Sequence, residues 1–331
     1  MSQQRWMLPE GVEESLAPNA WALEDLRRTL LDHYRQRGYD LILPPLIEHL
    51  DALLTGSAQD LEEQTFKLTD PVSGRLLGLR ADMTPQAARI AARHFADRSV
   101  VRLCYLGTVL RAQSEHVGGS RTPRQVGCEI FGDDRLEADL EALELMLETL
   151  SLAGVREAHV DLGHVGVYRA VIESLRLSAE DEGVVFDLVQ RKSKPDLQRW
   201  LEGMALADQA AEMLLALLDL HGDQSVLDRA ATVLSYAGQG VVSALERLSR
   251  VADALGQRPE APSLHLDLAE LRGFRYKTGL VFAAFTPGFG RELARGGRYD
   301  GVGSAFGSAR PATGFSADLN ELLRLGGDGH A

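Results

Sequence analysis

Residues 103–132 read LCYLGTVLRAQSEHVGGSRTPRQVGCEIFG. Both ends of this stretch alternate apolar residues with others in the period of two that a half-buried β-strand imposes. Leu103, Tyr105, Gly107, Val109 and Arg111 share one face before the turn. After it, Val126, Cys128 and Ile130 share one face and leave Gln125, Gly127 and Glu129 on the other. A loop rich in glycine, serine and arginine joins the two. If the strands pair, Arg111, Gln125 and Glu129 project into one concave surface. A guanidinium, an amide and a carboxylate converging there suit a small zwitterion or a phosphate, since each meets fixed charge with directional donors and acceptors. An ordinary solvated hairpin carries the same pattern, so this stretch leaves both readings open.

A chain of 331 residues can bury a sizeable core and is expected to carry more than one lobe. Its net charge of -13 argues against a general nucleic-acid binder, because neutralised phosphates supply most such affinity. Arg111, Arg121 and Arg124 nevertheless form a local basic group within the hairpin. MSQQRWMLPEGVEE has no apolar secretory core and no apolar run is long enough to span a bilayer, so a cytoplasmic protein with no membrane partner is expected. Cys104 and Cys128 sit inside apolar strand patterns and read as small buried hydrophobes. No Cys/His cluster has zinc spacing, no HExxH or triad-like motif occurs, no GxGxxG follows a strand and no P-loop is present. Neither metal nor cofactor is therefore expected.

Outward from the hairpin, Ala20 to Arg37 has helical periodicity, with Leu23, Leu26, Leu30 and Tyr34 on one stripe and Gly38 as the stop. GYDLILPPLIEHLDALL follows. Pro44 and Pro45 confine its apolar run to a sheet edge or strand end, where either a second subunit docks or the prolines merely protect the edge. Gln64 to Arg80 reads as a hairpin around a PVSG turn. ADMTPQAARIAARHFA then starts a helix with Pro85 in its first turn and Asp82 or Thr84 as cap. Glu137 to Ala153 reads as an amphipathic helix, and AHVDLGHVGVYRAVIESL as strand, short turn and helix. From Ser178 to Gln257 alternation vanishes in favour of helical spacing. After it LHLDLAELRGFRYKTGLVFAAFTPG reads as strands carrying Arg272, Arg275, Tyr276 and Lys277. Gly296 and Gly297 allow close approach of a ligand or a neighbouring strand. This order implies an α+β core, an antiparallel sheet flanked by helices rather than a doubly wound one. The expected organisation is a discontinuous core, residues 1–177 and 258–331, with a helical insertion at 178–257.

These pieces resemble, in order, the catalytic core of histidyl-tRNA synthetase, a class II aminoacyl-tRNA synthetase. GYDLILPPLIE resembles the dimer-forming first class II motif, and LGLRADMT the Leu-Arg-Pro-Glu-Gly-Thr amino-acid-binding segment. The hairpin from Arg111 to Glu129 resembles motif two, and PATGFSADLNELL motif three. LRGFRYKTGLVF resembles the histidine-specific Val-Arg-Gly-Leu-Asp-Tyr-Tyr-Thr segment, and ARGGRYDGV the glycine-rich strand after it. By this resemblance Asp82, Thr84 and Gln125 would hold the ammonium of histidine, Glu129 would face its imidazole and Arg272 its carboxylate. Tyr276 would join these histidine contacts. Arg111 stands where the motif-two arginine meets the ATP α-phosphate, and is grouped with the same histidine site.

The departures carry further meaning. Where motif three of the synthetase has Gly-Leu-Glu-Arg, this chain has Asp318, Leu319, Asn320 and Glu321. Glu321 thus replaces the arginine that holds ATP, and a carboxylate beside a triphosphate repels where attraction is needed. Gln113, Ser114 and Gly119 stand for Glu, Arg and Arg in the motif-two loop, and Lys277 stands for a tyrosine. The chain stops just after motif three, so no anticodon-binding domain and no tRNA partner are expected. A synthetase-like core of this kind resembles the regulatory subunit of ATP phosphoribosyltransferase, the first enzyme of histidine biosynthesis; LPEGVEE and RAQSEHVGGSR resemble that family too. The resemblance implies a non-catalytic chain that dimerises and joins a short-form catalytic subunit in a hetero-octamer. It would activate that subunit and convey feedback inhibition by histidine, its effector. The alternative is a minimal histidine-activating, synthetase-like enzyme.

Overall fold

The computed structural model describes residues 7–55, 59–116, 118–204, 206–274, 276–307 and 309–327. They fall into two compact units, Met1–Arg156 with Asp300–Ala331, and Glu157–Tyr299.

In the first unit, the helix Asn19–Gln36 buries Leu23, Leu26, Leu30 and Tyr34, the stripe its periodicity predicts. Gly38, at φ +85°, turns the chain after it, a conformation that costs glycine little. Two short strands flank the prolines, β1 (Asp40–Leu41) and β2 (Ile47–His49). The expected hairpin is present as β3 (Lys67–Thr69) and β4 (Leu76–Leu79), antiparallel, with Thr69 opposite Leu76. β2 pairs on the other side of β4. The helix Thr84–His94 follows, then β5 (Val101–Thr108), β6 (Arg124–Phe131) and the helix Leu136–Leu152. Cys104 and Cys128 lie opposite each other on β5 and β6, free and buried as read.

In the second unit, β7 (His159–His164) runs straight into the helix Val165–Leu175. No turn separates them, because the His164 Nδ1 accepts from the Gly166 N–H at 3.1 Å and caps the helix where a turn was expected. Between residues 178 and 257 come the helices Ala179–Gln190, Lys194–Glu202, Asp208–Leu217, Val226–Val233 and Gln239–Gly256. Strand pairing does not vanish entirely there, since β8 (His221–Gly222) sets His221 opposite Asp267 of β9 (Ser263–Asp267). β10 (Leu280–Thr286) pairs antiparallel with β7 and with β11 (Phe289–Arg298), while β7 and β9 run parallel. Arg272, Tyr276 and Lys277 were expected on strands and lie instead in the turn-rich stretch between β9 and β10. Gly273, at φ +70°, closes a turn there in which Tyr276 and Lys277 both donate backbone N–H groups to its carbonyl. Arg275 lies outside the described residues. A Cβ on Gly297 would strike the Leu280 carbonyl oxygen, so that glycine admits a neighbouring strand.

The chain returns to the first unit with β12 (Ala312–Asp318) and the helix Leu319–Gly327. β12 lies antiparallel to β6, so the strands there run β1-β5-β6-β12, with only β1 and β5 parallel. The result is an α+β arrangement of mainly antiparallel strands and flanking helices, as expected. Among the described residues no helix is long and apolar enough to cross a membrane.

Candidate functional site

Direct partners across an antiparallel pair share a face. In β5 and β6 the register is Leu103 with Glu129, Tyr105 with Gly127, and Gly107 with Gln125. Gln125 and Glu129 therefore share one face, and both are buried, at 6% and 1% exposure. The corner between β4 and the helix Thr84–His94 comes to meet them. Asp82 takes the first helical N–H, that of Thr84, on Oδ1 at 2.9 Å. Gln125 then clasps the corner with both ends of its amide, Nε2 donating to Asp82 Oδ1 at 2.8 Å and Oε1 accepting from the Met83 N–H at 2.9 Å.

The Thr84 hydroxyl is turned away from capping and donates to Glu129 Oε1 at 2.9 Å. The same carboxylate oxygen accepts from the Tyr105 hydroxyl at 2.9 Å, and Tyr105 and Thr84 touch at 3.0 Å. A buried carboxylate needs such donors, because its desolvation is costly unless hydrogen bonds replace water. Burial holds the Tyr105 phenol well above its ordinary pKa, helped by Glu129 and Asp82, so it remains a protonated donor. Space for the pair comes from two glycines. A Cβ on Gly127 would lie 2.5 Å from the Tyr105 hydroxyl, and one on Gly314, opposite Glu129 on β12, would strike Glu129 Oε2. Tyr105, Gly127 and Gly314 thus belong to this site although sequence reading did not place them in it. The available signal was a glycine inside a strand, which marks a close approach.

Arg111 follows β5, and its Nη1 pairs with Glu115 Oε2 at 3.1 Å. Asp318 ends β12, where its Oδ1 accepts from the backbone N–H groups of Arg124 at 3.2 Å and Asn320 at 3.0 Å. Burial pushes this carboxyl up to about 6; Glu321 adds to the rise, while Arg111 and the two N–H groups oppose it. Glu321 pairs with Arg324 at 2.6 Å, one turn along its own helix. The motif-three positions thus present carboxylates, a poor surface for a polyphosphate.

In the second unit, the Arg272 guanidinium is already engaged. It reaches Glu270 Oε2 at 2.6 Å, Glu292 Oε2 at 2.8 Å and Asp161 Oδ2 at 3.6 Å, and its face lies 5.6 Å from the Phe285 ring centre. Tyr276 stacks on Tyr299 with ring centres 5.0 Å apart. Lys277 donates to the Gly296 carbonyl at 2.5 Å, and burial lowers its ammonium pKa to about 8. Among the described residues no group of three or more His, Cys, Asp or Glu is disposed to hold a metal.

A family model described as Histidyl-tRNA synthetase matches residues 11–322. The ATP phosphoribosyltransferase regulatory subunit of Thioalkalivibrio sulfidiphilus is 53% identical over 324 residues, which is 98% of this chain and 82% of that protein. The chain belongs to the histidyl-tRNA synthetase family, in its branch of ATP phosphoribosyltransferase regulatory subunits. The protein of that name from Methylococcus capsulatus is 52% identical over 328 residues, covering 99% of this chain and 80% of its own. A crystal structure of an ATP phosphoribosyltransferase regulatory subunit/histidyl-tRNA synthetase from Bacillus halodurans superposes with a TM-score of 0.87 at 28% identity, over 97% of this chain and 83% of that one. In this chain Asp82, Thr84, Tyr105, Gln125 and Glu129 form one hydrogen-bonded network.

Proposed function

We propose that this chain is the non-catalytic regulatory subunit of ATP phosphoribosyltransferase, activating a short catalytic subunit and conveying feedback inhibition by histidine. The observation that carries the reading is 53% identity to a regulatory subunit across 98% of the chain. Carboxylates at Asp318 and Glu321, where a synthetase needs its ATP arginine, support an assembly that keeps an amino-acid site and omits the chemistry. In the first unit, Asp82, Thr84 and Gln125 are the candidate ammonium contacts and Glu129 the candidate imidazole contact; Arg111 is a further candidate, engaged with Glu115 in this structure. In the second, Arg272 is the candidate for the carboxylate, and Tyr276 is a further candidate histidine contact. The apolar Asp40–Leu50 stretch, where Leu43 is 75% exposed, is the candidate self-association edge within a cytoplasmic hetero-octamer.

Histidine inhibits through this chain only if it binds the inactive assembly better than the active one. The test is ATP phosphoribosyl transfer by the short catalytic subunit, with and without this chain, across a histidine titration. Activation on mixing that is lost as histidine rises supports both roles. No activation, together with histidine-dependent exchange of pyrophosphate into ATP, would replace them with a synthetase-like activity.

A further inference from the structure

Three consecutive carbonyls of the diproline turn are held by the segment that carries Asp82 and Thr84. Pro44 O accepts from Arg80 Nη1 at 2.6 Å, Pro45 O from Gln86 Nε2 at 2.8 Å, and Leu46 O from the Arg80 backbone N–H at 3.0 Å. Prolines bring no N–H of their own, so such carbonyls depend on donors from elsewhere in the chain. Both donor side chains are buried, Arg80 at 8% and Gln86 at 1% exposure. Arg80 also donates through Nε to Thr108 O at 2.9 Å, and its own carbonyl accepts from the Leu110 N–H at 2.8 Å. The turn, the corner at Asp82 and the end of β5 therefore form one hydrogen-bonded frame. Its other side is apolar and outward, with Leu43 75%, Leu46 44% and Ile47 40% exposed.

We propose that Arg80 and Gln86 are positioning residues of the effector site, which clamp Asp82 and Thr84 to the diproline turn so that the turn's conformation sets the affinity for the ligand's ammonium group. This rests on the histidine reading given above. Among the described residues the Arg80 side chain bonds to the Thr108 and Pro44 carbonyls and that of Gln86 to the Pro45 carbonyl and Glu48, so each acts on the Asp82–Gln125–Glu129 network through the backbone between them. A change in the turn, whatever packs on Leu43 and Ile47, is thereby transmitted to the corner that would meet the amino group.

The test is calorimetric titration of the full chain with histidine and with 3-(imidazol-4-yl)propionate, which lacks the ammonium. Arg80→Met, Gln86→Met and Arg80→Lys are compared with the unmodified protein, each checked for cooperative thermal unfolding. The expected result is a loss of about five- to tenfold in histidine affinity in the two Met variants. Affinity for the analogue changes far less, and Arg80→Lys recovers part of the loss by still reaching one carbonyl. Equal losses for both ligands, or no loss, would overturn the positioning role while leaving the histidine site standing. Binding of neither ligand by the unmodified chain would overturn the effector site and this inference together. Gln86→Met carries the test if Arg80→Met does not fold.

Discussion

Gln125 and Asp82 are 43 residues apart in the chain and meet at 2.8 Å, the amide donating to the carboxylate. Because the other end of the same amide takes the Met83 N–H, one side chain sets both the direction of Asp82 and the start of the helix that bears Thr84. Gln125→Glu would replace the donor facing Asp82 with a carboxylate oxygen, and two carboxylates at that distance repel or share a proton. The expected outcome is weaker histidine binding by calorimetry and a lower melting temperature. Unchanged values of both would show that the clasp is dispensable.

Glu129→Gln keeps the shape and removes the charge. If Glu129 meets the imidazole, histidine affinity falls on the order of 10- to 100-fold, the range of one hydrogen bond to a charged group. Tyr105→Phe, which removes one donor to that carboxylate, falls less. Inhibition curves of the assembled enzyme read both, and the order of the two effects is the check.

Gly314→Ala adds one methyl group where Glu129 already lies, with the Cys128 carbonyl 2.5 Å from the new carbon. Overpacking of this kind costs about 1–3 kcal/mol. The variant should melt earlier and lose histidine response. Gly301→Ala, where nothing lies within 4 Å of the added carbon, is the control that should change neither.

Asp318 predicts a pH dependence. Its carboxyl, pushed up to about 6, holds a proton in the folded chain that the unfolded chain releases near pH 4. The unfolded state therefore binds fewer protons across that window, and stability falls as pH rises from about 4 to 6 and is level above it. Asp318→Asn keeps an acceptor for the Arg124 and Asn320 N–H groups without the charge. It should be more stable than the unmodified chain by on the order of 2 kcal/mol at pH 7, with the advantage shrinking towards pH 4. Urea midpoints at several pH values measure this, and a pH-independent difference would refute it.

Arg272→Ala removes a side chain that joins Glu270, Glu292 and Asp161. From sequence alone the substitution reads as a pure binding-site change. The structure adds a cost of about 1 kcal/mol, kept small because the guanidinium is 43% exposed. Arg272→Lys retains the charge and should recover stability before it recovers histidine affinity, since an ammonium cannot reproduce the bidentate fork. Parallel melting and calorimetry separate the two.

The sequence by itself determined the local elements. The stripe Leu23, Leu26, Leu30 and Tyr34 marked a helix, and alternation from Val126 to Ile130 put Gln125 and Glu129 on one face, because periods of 3.6 and 2 are properties of neighbouring residues. Motif order likewise carried the family, and the carboxylates of Asp318 and Glu321 were legible as a departure from it. Only the tertiary structure decided what those side chains touch. Tyr105 and Thr84 converge on one oxygen of Glu129, Gly314 makes room for it from β12, and Arg272 is taken up by three carboxylates. Gln86, which drew no reading from sequence, and Arg80, read only as the end of a hairpin, form the clasp on Pro44 and Pro45. Apart from Glu270, two residues before Arg272, each of these contacts joins residues distant in the chain, and their geometry follows from sheet register and packing, which no local periodicity encodes.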